Sequence, residues 1–225
     1  MEFTFYGQSC FSLNINKTNL LFDPFITGNE HAKHIDIKTI HADYILVSHG
    51  HEDHTADLVT LAKQTGAKVI ANFEIISWLQ NQGITNVHPM NFGTVDFNFG
   101  TLTFFQAMHS SVLADGTYAG NPGGFILKSD GGNIYYSGDT SLFMDMQLVP
   151  YYAKVDVAFL PIGGNFTMNA KEAIYASELI KCNHIVGLHF DTFNFIKINH
   201  EETKKLFAEA GKDFLLPEIG KFYTL

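Results

Sequence analysis

Arginine is absent from this chain; all 14 basic residues are lysine, set against 23 acids, for a formal net charge of −9. Bidentate recognition of phosphate or guanine relies on the arginine fork, and nucleic-acid binders carry a basic face. The balance disfavours a nucleic-acid partner. Cysteine is scarce as well, with only Cys10 and Cys182 and no Cys-x-x-Cys pair. That argues against both a disulfide framework and a thiolate zinc finger. No apolar run approaches the ~20 residues that span a bilayer, so no membrane partner is expected. The opening Met1-Glu2-Phe3-Thr4-Phe5-Tyr6 alternates and carries an acid, unlike a signal peptide. A soluble, reduced, cytoplasmic protein is the expectation.

What is present is ample core material. Of the 225 residues, 46% are hydrophobic and 21 are Phe. This suits a single α/β domain over 1–225, and no linker, repeat or low-complexity segment divides it. Strands are expected at Glu2–Tyr6, Ser9–Asn14, Asn19–Phe22, Tyr44–Val47 and Lys68–Ala71. Residues 26 to 42 read as polar and irregular. One helix should bury Leu58, Leu61 and Ala62 and stop at Gly66; another should bury Ile75, Ile76 and Leu79. Strands with glycine turns fill 87–136. Val155–Leu160 and Ile185–Leu188 are continuous apolar runs that suit buried strands. Asn169 with Glu172 resembles a capping box opening a helix to about Lys181, and Asn199 with Glu202 opens one that Gly211 closes. Strands in both halves with helices between them predict two sheets packed face to face, helices outside.

The chemistry is concentrated in His49-Gly50-His51-Glu52-Asp53-His54. Three imidazoles and a carboxylate follow directly on a buried strand. These are preferred ligands of divalent transition metals. Burying them together without a shared ion would be costly. Three later strand-like runs end in the same way, delivering His109, Asp139 and His189. Five histidines and two aspartates make seven ligands. If one aspartate bridges and a water bridges, two metals each keep four or five ligands and an open position for substrate. The set suits zinc and manganese equally.

The spacing His49/His51/Asp53/His54, His109, Asp139, His189 resembles the metallo-β-lactamase superfamily over essentially the whole chain. Gly7-Gln8-Ser9-Cys10-Phe11, Asp23-Pro24-Phe25, Gly120-Asn121-Pro122-Gly123-Gly124-Phe125, Ser137-Gly138-Asp139-Thr140 and the run Pro161 to Met168 are similar to its branch of small hydrolases around L-ascorbate-6-phosphate lactonase. The resemblance implies a four-layer αββα sandwich of two mixed sheets with helices outside. It implies one metal on His49, His51 and His109, a second on Asp53, His54 and His189, and Asp139 between them. Glu52 and Gly123 depart from that branch, which has Gly and Ala there.

Other residues admit plainer readings. Asp139 could cap a turn, and Asp23 could simply end a strand or accept from a ligand imidazole N–H. His31, His34 and His41 read as solvated loop residues; His88, His184 and His200 show no partner pattern. Asn121, Asn165 and Thr167 are candidate substrate contacts, or structural turns. Gly120–Gly124 reads as a turn lining the site. The expected function is hydrolysis of an ester or lactone of a small, optionally phosphorylated, metabolite by two divalent metal ions, with Asp53 orienting the nucleophile or carrying a proton to the leaving group. A phosphodiesterase or a non-catalytic metal-binding protein is the alternative. The partner is then a small-molecule substrate, and a homo-oligomer is admitted.

Overall fold

The computed structural model describes all residues from Met1 to Leu225. The chain forms two compact units, one of Met1–Gly93, Ser110–Pro122 and Glu218–Leu225, the other of Thr94–His109 and Gly123–Pro217.

The first unit holds β1 (Glu2–Gly7), β2 (Cys10–Ile15), β3 (Thr18–Phe22), β4 (Tyr44–Leu46), α1 (Glu52–Thr55), α2 (Leu58–Thr65), β5 (Lys68–Ala71), α3 (Phe73–Asn81) and β6 (Val87–Pro89). The last strand, β14 (Phe222–Thr224), adds to its edge, giving the order β14-β1-β2-β3-β4-β5-β6. β14 through β3 pair antiparallel; β3 through β6 pair parallel. The antiparallel strands alternate, with Phe3, Phe5, Leu13 and Ile15 buried. The parallel strands β4 and β5 have buried apolar centres, as inner parallel strands do. Leu58, Leu61 and Ala62 of α2 and Ile75 and Leu79 of α3 join Leu21, Ile45 and Val69 in one core. Gly66 closes α2 with φ 69°, the left-handed position a helix end favours.

The second unit holds β7 (Thr94–Phe97), β8 (Gly100–Gln106), β9 (Gly123–Lys128), β10 (Ile134–Tyr136), α4 (Val149–Tyr152), β11 (Val157–Pro161), α5 (Ala170–Leu179), β12 (His184–Leu188), α6 (His200–Glu209) and β13 (Asp213–Leu215). Their order is β13-β12-β11-β10-β9-β8-β7. β7 through β10 pair antiparallel and β10 through β13 parallel. Each unit therefore has a seven-stranded mixed sheet. The capping box is present: Asn169 Oδ1 accepts from Glu172 N and the Glu172 carboxylate accepts from Asn169 N.

Several elements differ from the sequence reading, β13 and β14 among them. The histidine run is not only a turn, because α1 starts inside it. The segment Met144–Leu148 and α4 form helical turns where no element was predicted, with Pro150 in the first turn of α4, where its missing N–H is harmless.

Candidate metal centre

In the first unit the parallel pairing of β3 with β4 sets two C-terminal ends side by side. Asp23 follows one and Ser48-His49 follows the other. β2 runs antiparallel to β3, so the β1–β2 turn carrying Gln8 reaches the same edge. Asp23, His49 and His54 are fully buried there, with their ligand-type atoms mutually within 4.8 Å. His49 Nε2 faces His51 Nδ1 at 2.9 Å, and His54 Nε2 lies 3.7 Å from Asp53 Oδ2. Gly50 lets this turn close: a Cβ there would stand 2.3 Å from Ala119 Cβ. Glu52 and Asp53 occupy the first turn of α1, where the helix end favours negative charge.

Hydrogen bonding fixes the tautomers. A carboxylate only accepts. Asp23 Oδ2 therefore accepts from the Ser48 hydroxyl at 2.5 Å and from His54 Nδ1 at 2.7 Å. With its one proton committed, Ser48 Oγ accepts from His49 Nδ1 at 2.9 Å. Both imidazoles then carry hydrogen on Nδ1 and present Nε2 as a lone pair, the form a metal needs. Asp23 Oδ1 also accepts from Ser48 N at 2.7 Å. Of the two readings of Asp23, the structure has both: it ends β3 and it orients imidazoles.

Gln8, buried at φ 54°, donates Nε2 to Asp53 Oδ2 at 2.8 Å. Asp57 ties the Pro24–Thr27 loop down by accepting from Ile26 N and Thr27 N at 2.6 and 2.8 Å. Cys10 is buried beside these carboxylates. Desolvation, with lesser repulsion from Asp23 and Asp57, drives its thiol far above the ordinary range, although the Phe25 backbone partly opposes the shift. It stays a neutral thiol, and the clustered ligand-type atoms are all nitrogen and oxygen.

In the second unit β8, β10 and β12 run the same way, so His109, Asp139 and His189 leave one sheet edge. Asp139 Oδ2 lies 2.9 Å from His189 Nε2 and 3.6 Å from His109 Nε2. Asp139 and His189 are buried; His109 is partly exposed. His189 sits at φ 54° directly after β12. Asp191, at φ 63°, braces the following loop by accepting from Ile198 N at 3.0 Å and pairing with His200 Nε2 at 2.5 Å. His200, which shows no partner pattern in the sequence, thus has one.

The donor sets fit a divalent metal. Each unit gathers imidazoles and at least one carboxylate at a strand-end edge, largely buried, where charge is tolerated only when compensated. Neither contributes a thiolate, so both donor sets are nitrogen and oxygen in character.

The remaining expectations fare unevenly. His31, His34 and His41 are exposed, as solvated loop residues should be. Asn121 and Asn165 are exposed, and Asn121 O accepts from Asn72 Nδ2 at 3.2 Å. Thr167 is buried with no hydrogen-bond partner for Oγ1. Gln8, Ser48 and Asp57 escaped the sequence reading; the tight Gly7-Gln8-Ser9 turn was the available signal for the first.

Residues 18–190 match the family described as the beta-lactamase superfamily domain. The chain belongs to that superfamily. Curated relatives include UPF0173 metal-dependent hydrolases of Christiangramia forsetii, 49% identical over 100% of both chains, and of Flavobacterium johnsoniae, likewise 49% identical over 100% of both. Among solved structures, a metallo hydrolase of the archaeon Ignicoccus hospitalis is 30% identical, with a TM-score of 0.88 over 100% of this chain and 98% of the other. The superfamily member described here therefore has the metallo-β-lactamase fold, its two mixed sheets flanked by helices, and it groups with the metal-dependent hydrolases. No helix is long and apolar enough to cross a membrane.

Proposed function

We propose that the whole chain, 1–225, acts as a single cytoplasmic catalytic domain that hydrolyses an ester or lactone of a small metabolite at a dinuclear centre of zinc or manganese. The observation that carries this reading is the hydrogen bonding of Asp23 to Ser48 and His54, which prepares two Nε2 lone pairs for metal. His49, His51 and His109 would hold one ion; Asp53, His54 and His189 the other; Asp139, already shared by two imidazoles, would serve both. When bound, the pair of ions supplies a nucleophile at neutral pH and polarises a carbonyl.

The chain's own residues supply the rest. Gln8 holds Asp53 by Oδ2 and so sets the plane of that carboxylate. Asp53 takes the proton of the attacking water and passes it to the departing alkoxide. A C–O bond forms to the carbonyl carbon and the bond to the alkoxide breaks, giving acid and alcohol. Asn121, Asn165 and Thr167 are the proposed substrate contacts. Without arginine a phosphate group would rest on lysine or backbone N–H, so a non-phosphorylated substrate suits the chain better.

Metal analysis and a substrate panel test this. Purified protein should carry up to two equivalents of zinc or manganese per chain, reduced in His51→Ala, and should hydrolyse esters or lactones. A native protein that holds no metal sinks the reading. Turnover of phosphodiesters alone would move it to a phosphodiesterase.

A further inference from the structure

Two phenylalanines stand in solvent on the loops that follow β11 and β12. Phe166 is 51% exposed and Phe195 is 74% exposed, and their rings meet edge to face at 6.1 Å. A single exposed apolar side chain needs no explanation, but a paired aromatic surface built from two loops does.

Both loops are fastened to the ligand-bearing segments of their own unit. Met168 N donates to the carbonyl of Thr140, the residue after Asp139, at 2.9 Å. Gly163 packs so closely on His189 that a Cβ would stand 2.2 Å from the His189 carbonyl oxygen. That same Cβ position lies 2.9 Å from Ile196 Cβ, and Ile196 O accepts from Asp191 N at 2.9 Å. Phe166 is two residues from Met168, and Phe195 is next to Ile196. Two residues of chain span at most about 7 Å, so both rings are carried on backbone that is fastened beside Asp139 and His189.

We propose that Phe166 and Phe195 form the platform for an apolar acyl group, aryl in particular, attached to the scissile carbonyl. This rests on the ester or lactone reading and names its substrate class. An aryl group packs on an edge-to-face pair with favourable ring geometry. A chain with no guanidinium and a net charge of −9 favours such a neutral ligand over an anionic one.

The test compares the metal-loaded full chain with a Phe166→Ala/Phe195→Ala double variant on ethyl acetate and ethyl phenylacetate, which share a leaving group. The wild type should prefer phenylacetate by about tenfold in kcat/KM, and the variant should lose that preference while its acetate rate stays within about twofold. Binding of 2-phenylacetamide, a neutral isostere, should weaken in parallel by calorimetry. Equal wild-type rates on the two esters, or a preference that survives in the variant, overturn the platform.

Amide binding that follows this pattern without turnover of any ester retains the platform and sinks the hydrolase reading instead. Absence of both turnover and amide binding overturns the platform too. Wild-type self-association that the double variant abolishes in sedimentation would assign the rings to a contact between copies and overturn it as well. If the double variant fails to fold, Phe195→Ala alone carries the comparison, with a smaller loss expected.

Discussion

Asp23 Oδ2 receives two donors, and its carboxylate charge is what makes it an acceptor for both. An amide in its place keeps the shape but turns one nitrogen toward a donor. Asp23→Asn should weaken metal affinity by about 10- to 100-fold, as loss of an orienting partner typically does; competition against a graded chelator measures it. Unchanged affinity would mean that packing alone orients the rings. Gly123 is a second residue-scale case. A Cβ there would meet the Phe104 ring at 2.5 Å and Phe105 O at 2.7 Å, a backbone atom that cannot step aside. Gly123→Ala should cost about 1–3 kcal/mol by overpacking, read as a lower urea midpoint. The candidate ligands were legible because imidazole and carboxylate at strand ends announce their chemistry. Gln8 and Ser48 were not, because a common polar residue gains its role only from what the fold sets beside it.

At the scale of elements, parallel pairing does the gathering. Asp139 and His189 share an edge because β10, β11 and β12 run the same way, and β8 brings His109 there across two antiparallel steps. The long apolar runs and the asparagine caps of α5 and α6 were readable, since their signals are local and strong. The four-residue α1 was not, because its sequence is taken up by the candidate metal ligands, and three-residue strands such as β13 and β14 are too short to show a period. The Asn169 box opens α5 and, through the Gly163 to Asn169 bridge, closes the loop that carries Phe166. Asn169→Ala should lower stability by about 1 kcal/mol, visible in a thermal melt. A loss several times larger would show that the loop, and not only the helix end, depends on it.

Across the whole molecule both cysteines are buried, and burial raises both thiols. A raised thiol pKa means that the reactive thiolate forms only at higher pH. Labelling of the native protein by iodoacetamide should therefore stay low through pH 8 to 9, where an open thiol ionises. Both sites should react once the chain is unfolded, with mass spectrometry counting the adducts. Rapid native labelling at Cys10 would mean that the first unit opens readily. The family match and the mixed sheet in each unit agree with the reading from sequence. The substrate was not legible there, because it depends on exposed loops whose aromatic residues look like ordinary core material in a chain with 21 Phe.

The hydrogen bonds of Asp23 also bear on how such an enzyme can change over generations. On the proposed ligand assignment, His49 and His54 serve different ions, yet one carboxylate governs both. A substitution at Asp23 would degrade the two positions together. A lineage drifting toward a single ion would instead have to lose a dedicated ligand such as His51, and Asp23 would persist as long as either ion mattered.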